Sequence, residues 1–144
     1  MSFAGADFSR GRVSFSGATF DGRVSFDGAT FSGGAVIFDG ATFSDDCVSF
    51  SGATFSGDCV VSFFGATFSG GEVYFAEATF SGCIVSFDGA AFSGGVVSFI
   101  GAAFSGGGVR FNHATGPAPD GLIAIRTSAA ARITLPSAWQ LSNL

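Results

Sequence analysis

The chain has 144 residues, enough for one domain, with 20 Phe, 23 Gly and only 12% charged residues. Six Arg and no Lys stand against 11 acids, a formal charge of −5, which excludes a basic surface for direct contact with nucleic-acid phosphates. No apolar run approaches the ~18 residues of a membrane helix, and MSFAGADFSR has neither the basic start nor the apolar core of a secretory signal, so the expected compartment is the cytoplasm and no membrane contact is expected.

The predicted elements begin at once. Phe recurs at 3, 8, 15, 20, 26, 31 and onward to 111, with gaps that alternate between five and mostly seven. Phe20 to Phe26 is one residue short and Phe55 to Phe63 one long; Phe64 alone stands outside the series. Two residues before each Phe stands Ala or Val, in strict alternation after Met1. Positions i and i+2 share a face of a strand, so each Ala or Val and its Phe point inward and the residue between them points out. Ser-Gly, Asp-Gly and Gly-Gly separate these segments and read as turns. A three-residue strand buries nothing alone, but stacked coils do, each strand pairing with its copy about 4.8 Å above. The pattern therefore predicts an all-β fold, a β-solenoid whose interior takes one large and one small side chain per side.

The units ATFSG and VSFDG resemble the five-residue units of pentapeptide-repeat proteins, in the form centred on Phe. The resemblance covers roughly residues 1–115 and implies a right-handed, four-sided β-helix. It departs from the family pattern in that every second unit carries two extra residues, such as Gly71 and Glu72. If short and long links each turn a right angle, as the family's two-residue links do, a coil has 24 residues and Phe3 to Phe111 is roughly 22 Å tall. The rival is a flattened coil of 12 residues, about twice as tall.

After Phe111 the next unit reads NHATG, with Gly116 where Phe belongs, and GPAPDG then breaks the pattern. Residues 116–144 are read as a second segment that caps the solenoid at 1–115. Leu122, Ile123, Ile125, Ile133, Leu135, Trp139 and Leu141 supply its apolar cover, and SAAARI is a candidate short helix. At the other end Phe3 is already a core ring, with Met1 in the small-residue slot. That uncapped coil predicts a homodimer through unpaired strand edges.

Catalytic chemistry finds no constellation. His113 is the single His, Asp45 and Asp46 lie in a long connection, and the glycines follow the corners rather than a phosphate loop. No enzyme activity, cofactor or metal is expected. Cys47, Cys59 and Cys83 lack metal-ligand spacing and read as small apolar fillers, unbonded in the cell. With 24 residues per coil, Cys59 and Cys83 share a corner of adjacent coils, and only that pair can close within a chain.

Function is then expected at the surface, as a structural or protein-interaction module whose partner the sequence does not name. Outward apolar residues Ile37 and Phe64, one coil apart, and Tyr74 and Ile100 on the opposite wall are candidate contacts, with Phe3 at the open end. Asp21, Asp27, Asp39, Asp45, Asp46, Asp58, Glu72, Glu77 and Asp88 form a candidate acidic surface. Some pentapeptide-repeat proteins imitate duplex DNA and bind type II topoisomerases, so the resemblance makes a DNA gyrase modulator the alternative. A third reading is ice binding through the ladders Thr30/Ser32, Thr54/Ser56, Thr79/Ser81 and Thr42/Ser44, Thr67/Ser69.

Overall fold

The computed structural model describes residues 2–20, 22–44, 47–70, 72–93, 96–116, 132–134 and 136. The first coil contains β1 (Asp7–Phe8), β2 (Arg12–Ser14), β3 (Thr19–Phe20) and β4 (Val24–Ser25). The second contains β5 (Thr30–Phe31), β6 (Ala35–Ile37), β7 (Thr42–Phe43) and β8 (Cys47–Ser49). The third contains β9 (Thr54–Phe55), β10 (Val60–Ser62), β11 (Thr67–Phe68) and β12 (Glu72–Tyr74). β13 (Thr79–Phe80), β14 (Ile84–Ser86), β15 (Ala91–Phe92) and β16 (Val96–Ser98) make the fourth, and β17 (Ala103–Phe104) and β18 (Gly108–Arg110) begin a fifth. β19 (Arg132–Thr134) follows.

Every fourth strand stacks on its predecessor in a parallel sheet, which gives four walls. The first holds β1, β5, β9, β13 and β17; the second holds β2, β6, β10, β14, β18 and β19. β3, β7, β11 and β15 form the third, and β4, β8, β12 and β16 the fourth. Phe8 pairs with Phe31, Phe31 with Phe55, Phe55 with Phe80 and Phe80 with Phe104, steps of 23, 24, 25 and 24 residues. The short step contains the tight Phe20–Phe26 gap and the long one the wide Phe55–Phe63 gap, so each irregularity is absorbed within one coil. The 24-residue coil is correct and the 12-residue alternative is excluded.

The inward residues alternate as expected. Phe20 to Phe99 in the series, and Phe111, are buried, with the Ala and Val partners from Val24 to Val97 beside them. Rings on one wall stack at 4.7–5.0 Å between centroids and within 2–11° of parallel. That spacing is the strand spacing, so each ring follows its strand from coil to coil. Across the core, Phe26 and Phe50 of the fourth wall meet Phe38 and Phe63 of the second edge to face, at 5.9 and 6.0 Å. Phe8 and Phe15, like Phe3 at the open end, are only half-buried, so the inward face is incompletely covered in the first coil. β1, β2 and β3 have a strand on one side only, and three of the four rings in that turn, Phe3, Phe8 and Phe15, lack full cover while Phe20 is buried.

The short corners are four-residue turns. Ala41 N–H donates to the Phe38 carbonyl at 3.0 Å, and the same bond recurs at Ala29, Ala53, Ala66, Ala78 and Ala90. Position three of such a turn needs positive φ, which is why Gly40 stands there with φ 69°. Glu77 and His113 occupy that position with φ 59° and 63°, the two positive-φ residues other than Gly among the described residues. At the end of the series Thr115 bridges to Ala91, and a Cβ on Gly116 would lie 1.8 Å from the Phe92 carbonyl oxygen. No Phe fits there. β19 extends the second wall, with Ile133 opposite Val109 and Phe111 N–H donating to the Thr134 carbonyl. Arg132 and Ile133 are therefore strand, not helix, because they continue an edge already in place; the rest of SAAARI lies outside the described residues.

Candidate interaction surface

Outward residues fall into columns that run up each wall. On the first wall Thr30, Thr54 and Thr79 are in register; on the third, Thr19, Thr42 and Thr67. The second and fourth walls have three-residue strands, β4 excepted, and so present two outward columns each. Arg12, Ala35, Val60, Ile84 and Gly108 form one column of the second wall. Ser14, Ile37, Ser62, Ser86, Arg110 and Thr134 form the other.

The residues singled out from sequence separate on this frame. Ile37 is half-buried opposite Ser14 and Ser62, whereas Phe64, 58% exposed, sits in the turn after Phe63. They are one coil apart on the second wall but in neighbouring columns. Tyr74 is half-buried between Ser49 and Ser98 on the fourth wall. Ile100, 61% exposed, lies in the turn beyond, its carbonyl accepting from Glu77 N–H. The Phe3 ring stacks on Phe26 at 5.0 Å and belongs to the core. Val60 and Ile84, 40% and 47% exposed, are outward apolar residues that sequence reasoning missed. The signal was present: each immediately precedes an inward Val, and period-two alternation sends that position outward too.

Among the described residues, three of the acids are engaged between coils. Asp27 accepts from Ser49 Oγ and from Ser51 N–H at 3.2 Å. Asp39 accepts from Ser62 Oγ. Asp88 accepts from Asn112 N–H at 2.9 Å and pairs with Arg110 at 3.1 Å. One rule covers all three: an Asp just after a core Phe bonds the donor just before the core Phe of the next coil. These carboxylates fasten coil to coil. Asp58 and Glu77 are exposed at separate corners, Glu72 is exposed on β12, and Asp21, Asp45 and Asp46 lie outside the described residues. The hydrogen bond Tyr74 donates to Glu72, then burial, then the nearby Glu72 and Cys47 charges, hold its phenol above the usual value of 10.0.

Cys59 and Cys83 occupy equivalent corners before β10 and β14, with Cα atoms 4.7 Å apart, and are joined by a disulfide. The pair is the one expected to be able to close; the expectation of free thiols is corrected for it, because stacked corner positions already lie within bridging distance. Cys47 is half-buried on the fourth wall. His113 is exposed, and the described residues contain no cluster of three metal-ligating side chains.

The family model for pentapeptide repeats, in nine copies, matches residues 15–62 and 38–84. The solenoid belongs to the pentapeptide-repeat family. No curated protein matches the chain. The pentapeptide-repeat assignment accounts for the Phe-centred core and the four walls, and the same periodicity continues on both sides of the matched residues, from Phe3 to Phe111.

Proposed function

We propose that this pentapeptide-repeat protein is a non-enzymatic interaction module that works through its outer walls. The observation that carries this reading is the placement of its exposed large apolar residues. Val60, Phe64 and Ile84 gather on the second wall and its turn, and Ile100 beside the fourth, while the first and third walls carry Thr columns. Exposed apolar groups gathered on a rigid wall favour a protein partner over a solvated face. The scattered acids, three of them engaged between coils, support this reading over a DNA-like charge array. Self-association belongs to the same reading: the half-buried Phe3, Phe8 and Phe15 and the one-sided strands of the first coil offer a surface to a second copy.

Four single-wall variants test it: Thr54→Lys, Ile84→Lys, Thr67→Lys and Ile100→Lys, for the first to fourth walls. Cross-linked partners recovered from source-cell extract by the unmodified chain are expected to be lost with one wall's variant and kept with the others. Retention by all four overturns the reading. Inhibition of a type II topoisomerase in a supercoiling assay would instead favour the DNA-mimic alternative. Light scattering is expected to show a dimer that Phe3→Lys converts to monomer.

A further inference from the structure

The second wall contains a notch. Its outward column runs Val60, Ile84, Gly108, and where the third member lacks a side chain a groove of about 440 Å³ opens. Gly82, Ile84, Gly107, Gly108, Arg110 and Thr134 line it. From these features we infer that the groove takes the apolar C-terminal tail of a partner protein, with its last side chain in the notch and its α-carboxylate at Arg110. This inference rests on the interaction-module reading.

Size and charge select this occupant. The stripe from Val60 past Gly108 to β19 climbs three coil steps, about 15 Å at the strand spacing. A folded partner needs roughly 800 Å² on each side, which so narrow a strip does not supply, whereas about four extended residues fit it. The exposed Val60 and Ile84 offer those residues apolar contact below the notch. Arg110 lies two residues beyond Gly108 on β18, so both face the same side of the sheet. Its guanidinium is half exposed and pairs with Asp88 at 3.1 Å. A guanidinium has five N–H donors, so Asp88 orients the group and leaves donors for an incoming carboxylate. The equivalent column of the fourth wall carries Cys47 and Glu72, and neither provides an apolar floor with a cation beside it.

The probe is a fluorescein-labelled Gly-Ser-Val-Leu-Phe peptide with a free C-terminal carboxylate, titrated into the full chain against its C-terminal amide. The carboxylate form is expected to bind at least five-fold more tightly. Gly108→Val, which restores the side chain that Val60 and Ile84 carry in the same column, is expected to abolish binding of both forms. Arg110→Gln is expected to reduce the carboxylate form to the level of the amide and leave the amide unchanged. Equal binding of the two forms, undiminished binding by Gly108→Val, or no saturable binding at millimolar peptide each overturns the groove. Its failure is distinct from failure of the module: in the wall-variant experiment, loss at another wall removes the groove alone, and loss at none removes the module.

Discussion

Phe55 is fully buried and stacks on Phe31 and Phe80 at 4.8 and 4.7 Å. Its removal leaves a void between two rings that cannot close, because the coils are held at the strand spacing. Phe55→Ala is expected to cost about 3–5 kcal/mol in denaturant unfolding, and a change near zero would contradict the inward assignment. Glu77 raises the opposite case. It stands at a turn position where Gly28, Gly40, Gly52, Gly65, Gly89 and Gly101 take positive φ. Glu77→Gly relieves left-handed strain, partly offset by the greater freedom of Gly in the unfolded chain, and is expected to stabilise by about 0.5–1 kcal/mol. The same measurement checks it: destabilisation would show that the Glu77 side chain contributes more than its backbone costs. The core rings were legible in the sequence because burial imposes period two on every strand. Glu77 was read there only as a surface acid, because conformation is a property of its position in the turn and not of its type.

Tyr74 on β12 gives the fourth wall its own reporter, since it is the chain's single tyrosine. Absorbance of the phenolate therefore follows this residue alone. Its titration is expected above pH 10.0, and Glu72→Gln should bring it back toward that value, since hydrogen bonding to Glu72 is the largest cause of the rise. The folded state holds this proton more tightly than the unfolded chain does. The associated stability is complete below about pH 10 and is lost as pH rises through the folded value. A phenol that titrates at 10.0 in the folded chain would remove the contact. The corner before β10 and β14 supplies the other element-scale test. The 59–83 bridge closes a ring of 24 residues between adjacent coils. Chain-entropy arguments assign such a ring about 3–4 kcal/mol, so Cys59→Ala with Cys83→Ala should unfold at correspondingly lower denaturant. Adding reductant to the unmodified chain should approach the same midpoint, and no change in either case would show the bridge to be thermodynamically idle. Spacing alone brought these cysteines to one corner. Whether they bond was not legible, since that depends on a Cα separation that only the stacked coils set.

At the scale of the whole molecule, the fold was legible because one physical demand repeats at every level: four walls must each deliver a ring and a small partner at the same height. The second-wall groove was not, since it arises from what Gly108 lacks relative to two residues 24 and 48 positions earlier, a comparison that requires the column register. The solenoid's translational logic makes a sharper prediction. Strands on the first and third walls have two residues, and those on the second and fourth mostly three, with Ala slots on one pair and Val slots on the other. Deleting residues 90–101 removes half a coil and joins Phe87-Asp88-Gly89 to Ala102-Ala103-Phe104, which reproduces a normal short corner. Everything beyond the deletion moves to the opposite wall, where strand length and slot size are the same. That variant is expected to fold into a cooperative, shorter β-structure with a strand-like circular dichroism spectrum. Deleting residues 90–94 instead moves the remainder to an adjacent wall, setting long strands against short ones and Val against Ala slots. Because each coil is stabilised only by its neighbours, that mismatch is expected to uncouple the coils beyond it. Hydrogen exchange separates the outcomes: protection should persist past the junction in the first variant and vanish past it in the second. Equal protection in both would show that the coils tolerate mixed walls and that alternation is not what holds them in register.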